Sequence, residues 1–276
     1  YDRYTPQKHG GIMEEEMKIA LCLHGLVGST NSLSYMRDES DSDGKKLCAD
    51  LSFKDWKRCI LDVNEVDVFF HTWDLELEDY LVDLYKPKKY EVEEQIVFEV
   101  EHKDDSPRNQ AQYSRWYGGK KVIQMKSEYE KENNFKYDCV IDSRFDLAWN
   151  NPIDFSKYDM DYFYIPTVKK DGMPYGWPFT NQQEIMDFIF FSNSDNMNDF
   201  SPVIYDMLGD YNKTIYQWKG MSAHFVCFAH LVNLKLLPDK CQVGLVIATP
   251  NGDGKMKDGD HCQLIRREYF GETLRR

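Results

Sequence analysis

The chain is short of positive charge and of long apolar runs, and each shortage removes a class of protein. Its 276 residues carry a formal net charge of −13. That argues against a general nucleic-acid binder, which needs a basic footprint to displace counterions. No stretch approaches the ~20 apolar residues needed to span a bilayer, and Tyr1–Gly11 is polar with no signal-peptide core. No membrane anchor is expected. Cysteine is neither paired nor patterned: Cys22, Cys48, Cys59, Cys139, Cys227, Cys241 and Cys262 are odd in number and contain no Cys-x-x-Cys. Neither a disulfide framework nor a zinc knuckle is therefore expected. Several lie in apolar runs (Ala20-Leu21-Cys22-Leu23, Val226-Cys227-Phe228), where a buried free thiol is the default and a reducing cytoplasm the expected compartment. No Gly-x-Gly-x-x-Gly or Gly-x-x-x-x-Gly-Lys loop follows the first apolar run, which counts against a dinucleotide site and against P-loop chemistry.

What is present is a foldable, aromatic-rich chain. Hydrophobic residues make up 42% and charged residues 29%, enough to bury a core. The 18 Tyr, 16 Phe and 6 Trp suit clefts that hold sugars or nucleotides, because rings offer apolar faces with polar edges; a Tyr-rich core explains them equally well. An acidic protein can still hold an anionic nucleotide if a carboxylate-bound divalent metal offsets the repulsion.

Periodicity predicts alternating strands and helices. Met17–His24 reads as a buried strand running into Gly25, and Ser29–Asp50 as a long polar, acidic connection. Phe53, Trp56, Ile60 and Val63 have helical spacing. Val66–Phe70 reads as a second strand, Leu75–Leu84 as a helix stopped by Pro87, and Ile96–Val100 as a third strand. Asn109–Phe135 is helical, with Gly118-Gly119 expected to break it. Tyr137–Ile141, Tyr162–Ile165, Phe188–Phe191 and Val243–Ala248 complete the strands, with helices over Asn196–Leu208 and Met221–Leu234. A long aromatic loop holding Gly172, Pro174, Gly176 and Pro178 has the character of a binding loop. The expected architecture is a single α/β domain over 17–248, a mixed sheet flanked by helices, followed by a polar C-terminal extension, 249–276.

One segment carries the chemistry: Tyr137-Asp138-Cys139-Val140-Ile141-Asp142-Ser143-Arg144-Phe145-Asp146. A buried strand delivers two acids and a guanidinium to its carboxyl end, where ligands of open α/β sheets bind. If the chain stays extended, residues 142, 144 and 146 share a face. Two acids flanking a cation suit a divalent metal with a diphosphate; Arg144 pairing with Asp142 or Asp146 to close a turn is the plainer reading. Arg108, Asn109, Gln110, Ser114 and Lys121 form a polar, basic helix start that suits a diphosphate, or an ordinary helix cap.

The run Ser114-Arg-Trp-Tyr-Gly-Gly-Lys-Lys through Tyr137-Asp-Cys-Val-Ile-Asp-Ser-Arg-Phe-Asp-Leu147, with Phe69-Phe-His-Thr-Trp-Asp74 and Tyr85-Lys-Pro-Lys88 before it, resembles a group of GT-A-type glycosyltransferases of bacteria and large DNA viruses. The similarity covers roughly 17 to 200. The resemblance implies a GT-A-like (Rossmann-like) sheet and transfer of a sugar from a UDP- or GDP-sugar to a hydroxyl of a glycan acceptor with Mn2+ or Mg2+, in the cytoplasm, that of a host if the chain is viral. Its Arg-x-Asp segment resembles a variant of the metal-binding Asp-x-Asp motif, which makes Asp142 and Asp146 the metal or ribose ligands and Arg144 a phosphate partner. His24-Gly25 would approach the nucleotide, and His71, Trp73 and Asp74 its base or ribose, with core packing the alternative for Trp73. An acid before the Phe188–Phe191 strand would serve as base: Asp187 first, Glu184 second. Gly118-Gly119 departs from the apolar residues expected there and leaves the lysine role open between Lys120 and Lys121. His224, His230 and His261 receive no role, since a lone helical His is most often a satisfied core or surface residue. The competing readings are another phosphate-handling transferase and a carbohydrate-binding or structural module without catalysis.

Overall fold

The computed structural model describes residues 17–27, 49–99, 106–170, 173–180, 183–219, 222–248 and 261–264. Nearly all of the Ser29–Asp50 connection and of the 249–276 extension lies outside them, as does Gly28. The strands are β1 (Ile19–His24), β2 (Val66–Thr72), β3 (Lys89–Val92), β4 (Cys139–Arg144), β5 (Leu147–Trp149), β6 (Phe163–Lys170), β7 (Met173–Tyr175), β8 (Ile189–Ser192), β9 (Cys241–Ala248) and β10 (Cys262–Leu264). The helices are α1 (Ala49–Trp56, continued by a wider turn over Lys57–Leu61), α2 (Glu78–Tyr85), α3 (Ser106–Asn133), α4 (Ser194–Asp206), α5 (Leu208–Lys219) and α6 (Ala223–Asn233).

All ten strands join one sheet in the order β3-β2-β1-β4-β8-β6-β9-β10-β5, with β7 beside β6. β3, β2, β1 and β4 are mutually parallel, and β8 enters antiparallel between β4 and β6. The domain is thus a Rossmann-like mixed sheet flanked by helices, the architecture the alternating pattern predicts.

β1 is buried along its whole length because both faces are covered. Ile19, Leu21 and Leu23 pack into one cluster with Trp56, Leu81, Tyr85 and Phe145, under α1 and α2. Ala20 and Cys22 join Trp116, Ile123, Phe190, Phe200 and Val226 on the side of α3, α4 and α6. Cysteines 22, 59, 139, 227, 241 and 262 are all buried free thiols, as their apolar surroundings predict. Among the described residues no helix is long and apolar enough to cross a membrane.

Three local expectations are corrected. Of the strand expected over Ile96–Val100, residues 96–99 are described and are not in the sheet; the third strand is Lys89–Val92. The Ile96 carbonyl and the Phe98 N–H bond to the Gln110 side-chain amide (2.7 and 2.9 Å), so this stretch lies on α3 instead of the sheet. Gly118-Gly119 does not interrupt its helix: α3 runs unbroken for 28 residues. Residues 262–264, in the stretch expected to be a polar tail, form a strand between β9 and β5 with Cys262 fully buried.

Candidate active site at the carboxyl edge of the sheet

Parallel register sets Glu91, His71, His24 and Arg144 in one row across β3, β2, β1 and β4, at the ends of the strands. α3 lies over this row. Lys121 Nζ donates to Glu91 Oε1 (2.5 Å), Gly118 covers the two imidazoles, and Arg115 reaches His24. A Cβ at Gly118 would stand 3.3 Å from His71 Nδ1 and 3.2 Å from His24 Cβ. One at Gly119 would stand 3.0 Å from the Arg115 guanidinium and 3.3 Å from Asp142 Oδ2. The glycine pair is therefore a notch that seats the helix on the row. Two glycines inside a helix cost about 1 kcal/mol each in propensity, and close packing onto the row is what offsets it.

Beneath the notch is a closed polar network. Asp142 is completely buried; its Oδ1 faces His24 Nε2 (2.8 Å) and accepts from Arg115 (3.3 Å), while Oδ2 accepts from Ser201 Oγ on α4. Burial pushes the Asp142 carboxyl up, but Arg115, His24 and Ser201 outweigh it and hold it well below the usual carboxylate range. Burial, with the Arg115 charge beside it, pushes His24 down to about 4 against the pull of Asp142, so the ring is neutral. A neutral ring has one N–H. His24 Nε2, which also meets Arg115 at 2.5 Å, can donate to Asp142 or accept from Arg115 but not both. Arg115 also donates through Nε to the main-chain carbonyl of Asp187 (2.9 Å), linking this network to the segment ahead of β8.

Above it the groups are partly open, Arg144 and His224 each by about a third (33% and 32%). β4 ends at Arg144; Phe145 drops into the core, where its carbonyl accepts from Trp56 Nε1 (3.3 Å) and from Ser52. The Arg144 guanidinium grips Asp146 at both oxygens, through Nε (2.7 Å) and NH2 (2.5 Å), and its side chain is 33% exposed. Because β8 runs against β4, Asp187 and Phe188 arrive at this same edge, and Asp187 Oδ1 faces His224 Nε2 at 3.2 Å. Burial pushes the Asp187 carboxyl up, but His224, Arg115 and Arg144 together hold it well below its ordinary value. His224 moves the other way: burial lowers it, and Asp187 and Glu184 more than offset that, so it lies above 6.5.

The sequence-derived candidates thus divide. Arg144, Asp146, Asp187 and Glu184 stand at the edge, with Glu184 fixed through its carbonyl by the Trp177 N–H (3.1 Å). His24 and His71 are 1% and 0% exposed and lie under α3, so the expected direct contact with a nucleotide is corrected: the helix covers them. His71 Nε2 is held by Glu93 (2.8 Å). Trp73 is 6% exposed with its face stacked on Tyr117, so packing wins over base stacking there. Asp74 is buried and accepts from the Val27 N–H, tying down the loop after β1. Gly25 has φ +102°, the left-handed region that glycine permits, and its N–H bonds the His71 carbonyl (3.1 Å). Ser114 is held by Gln110 (3.1 Å), Lys121 by Glu91, and Arg108 lies in the first turn of α3. A separate cleft lined by Val63, Ile153, Asp154 and Tyr158 opens near the start of β2, at the opposite edge.

The Mn2+ or Mg2+ implied for Asp142 and Asp146 does not fit this donor set. A hard divalent cation needs open carboxylate oxygens. Here both oxygens of Asp142 are turned to Arg115, His24 and Ser201 in the interior, and both of Asp146 to Arg144. Among the described residues no group of three His, Cys, Asp or Glu side chains could hold a metal.

Sequence reasoning missed Arg115 and Ser201, and it named His224 without giving it a role. Arg115 had a signal, since it lies one helical turn before Gly119 and so shares its face. Ser201 and His224 reach the edge only through tertiary packing. No family model matches the chain, and no curated protein matches it.

Proposed function

We propose that the chain is a glycosyltransferase that moves a sugar from a nucleoside diphosphate sugar to a hydroxyl of a glycan acceptor. The observation that carries this reading is the pairing of two ionic couples, Arg144–Asp146 and Asp187–His224, each with one partner about a third exposed (33% and 32%), at the carboxyl edge of a parallel strand set. Open α/β sheets bind ligands there, and the residues suit the reaction. Arg144 offers a planar guanidinium to the diphosphate, whose negative charge grows as the sugar leaves. Asp146 holds that guanidinium in place. The Asp187–His224 couple supplies the proton handling that an acceptor hydroxyl needs. The buried Arg115–Asp142–His24 network holds Asp187 by its main chain and so fixes the geometry from below.

The test is calorimetry with UDP and GDP, each with and without Mn2+, followed by a hydrolysis screen of nucleotide sugars. Binding of a nucleoside diphosphate that weakens in Arg144→Met supports the reading. Binding of free sugars with none of a nucleotide would instead favour a carbohydrate-binding module.

A further inference from the structure

We propose that His224 is the group that takes the proton from the acceptor hydroxyl and that Asp187 positions it; this rests on the transferase reading above. Asp187 is the residue the sequence offers as base, and the structure gives it a different place. Its carboxylate is 12% exposed and turned to His224, while the imidazole is 32% exposed. The outward group of the couple is thus the ring.

The couple is fixed from four directions. The Asp187 carbonyl is held by Arg115 Nε. The His224 carbonyl accepts the Ile185 N–H at 3.1 Å, locking the first turn of α6 to the segment that carries Asp187. The ring stands edge-on to Phe188, centroids 6.2 Å apart. Nε2 meets Asp187 Oδ1 at 3.2 Å. An acid on Nε2 selects the tautomer that carries its hydrogen there and leaves the Nδ1 lone pair to receive a proton. The charged groups around the ring are Asp187 and Glu184, which favour its protonation, and Arg144, which opposes it. The Asp187 carboxylate, held well below its ordinary value, is the weaker base of the two; the imidazole, lowered by burial but raised overall by Asp187 and Glu184, is the stronger.

In the step itself the acceptor oxygen forms a bond to the anomeric carbon and its proton passes to His224 Nδ1. The bond from that carbon to the diphosphate oxygen breaks, and the electron pair leaves with the diphosphate beside Arg144. The imidazolium is stabilised by Asp187 and returns its proton to solvent. No oxidant or further reactant is required.

The experiment uses the full chain with 13C-labelled histidine, following the His224 ring by NMR as a function of pH and assigning it by the signal lost in His224→Gln. The expected result is a titration above 6.5 that falls by about one unit, a tenfold loss of proton affinity, in Asp187→Asn. A ring whose titration is the same in both proteins overturns the positioning role. With a donor and acceptor in hand, kcat/KM should rise with pH to a plateau, and the rise should move to lower pH in Asp187→Asn. His224→Gln should lose about 10²- to 10⁴-fold in rate and the pH step with it. Full rate and an unchanged profile in His224→Gln would sink this assignment while leaving the transferase reading intact. A wild-type chain that turns over no nucleotide sugar would remove the transferase reading itself, and the acceptor step with it.

Discussion

Gly119 faces Asp142 so closely that a methyl group on the glycine would lie 3.3 Å from the carboxylate Oδ2 and 3.0 Å from Arg115. The helix that closes the site is seated by an absent side chain. Gly119→Ala should therefore destabilise the protein by about 1–3 kcal/mol, the usual cost of overfilling a packed position, even though alanine is the better helix former. Gly209, also helical, has open space where its Cβ would be. Gly209→Ala should be neutral or stabilising by up to ~1 kcal/mol. Urea unfolding of the two variants side by side decides it, and equal effects would show that the notch carries no strain.

Asp142 and Arg115 balance each other's charge out of reach of water. Asp142→Asn leaves the guanidinium without a counter-charge and should cost about 3–5 kcal/mol. Arg115→Met combined with Asp142→Asn removes both charges and should recover part of that loss. A double variant less stable than the sum of its singles, in a double-mutant cycle, would contradict this account.

Mild acid should weaken the fold through its buried histidines. His230, on α6, is fully buried against α4 and α5, its Nε2 donating to the Phe200 carbonyl (3.1 Å) and its Nδ1 facing the Tyr211 hydroxyl (2.8 Å). Burial pushes it down to about 4. In the unfolded chain it takes up a proton near 6.5, so its contribution is complete above that pH and is lost as pH falls from about 6.5 to 4. The loss is on the order of 3 kcal/mol. His24 acts in the same direction. His224, raised by Asp187, acts in the opposite sense: its stabilising contribution is complete below 6.5 and is lost as pH rises through its folded value. Denaturation at a series of pH values, with His230→Gln as comparison, should show a shallower acid limb in the variant.

Arg144 and Asp146 form a partly open pair, so breaking it should touch function more than stability. Asp146→Asn should change unfolding free energy by about 0–1 kcal/mol. Arg144→Met should weaken binding of the preferred nucleoside diphosphate at least tenfold, roughly 1.4 kcal/mol. Calorimetry measures the second and thermal unfolding the first. A large stability loss with unchanged binding would reverse the assignment.

The framework was legible because its strands are simple. β1, β2, β4, β8 and β9 are short apolar runs with no competing helical period, and each emerged within a few residues of its predicted place. β3 did not, since Lys89–Val92 is a polar edge strand with little to mark it, while Ile96-Val97-Phe98 has the stronger strand composition and is held by a side chain of α3. The Gly118-Gly119 pair was read from propensity as a break, and tertiary contact overrode it. Among the site candidates, Arg144, Asp146 and Asp187 could be picked out and placed at the sheet's carboxyl edge because they border apolar strands. The role of the buried histidines was not, because an imidazole at a strand end looks the same in sequence whether it faces a ligand or a covering helix.

β5 has one more consequence. It follows Asp146 directly, yet its partner in the sheet is β10, more than a hundred residues further along the chain. During synthesis the ribosome must release residues 262–264 before the segment after Asp146 can gain its ladder. Closure of that edge is therefore a late, long-range event, the slow kind in a mixed sheet, and a nascent protein cut short just before β10 would expose the Leu147–Trp149 strand to any other chain able to zip against it.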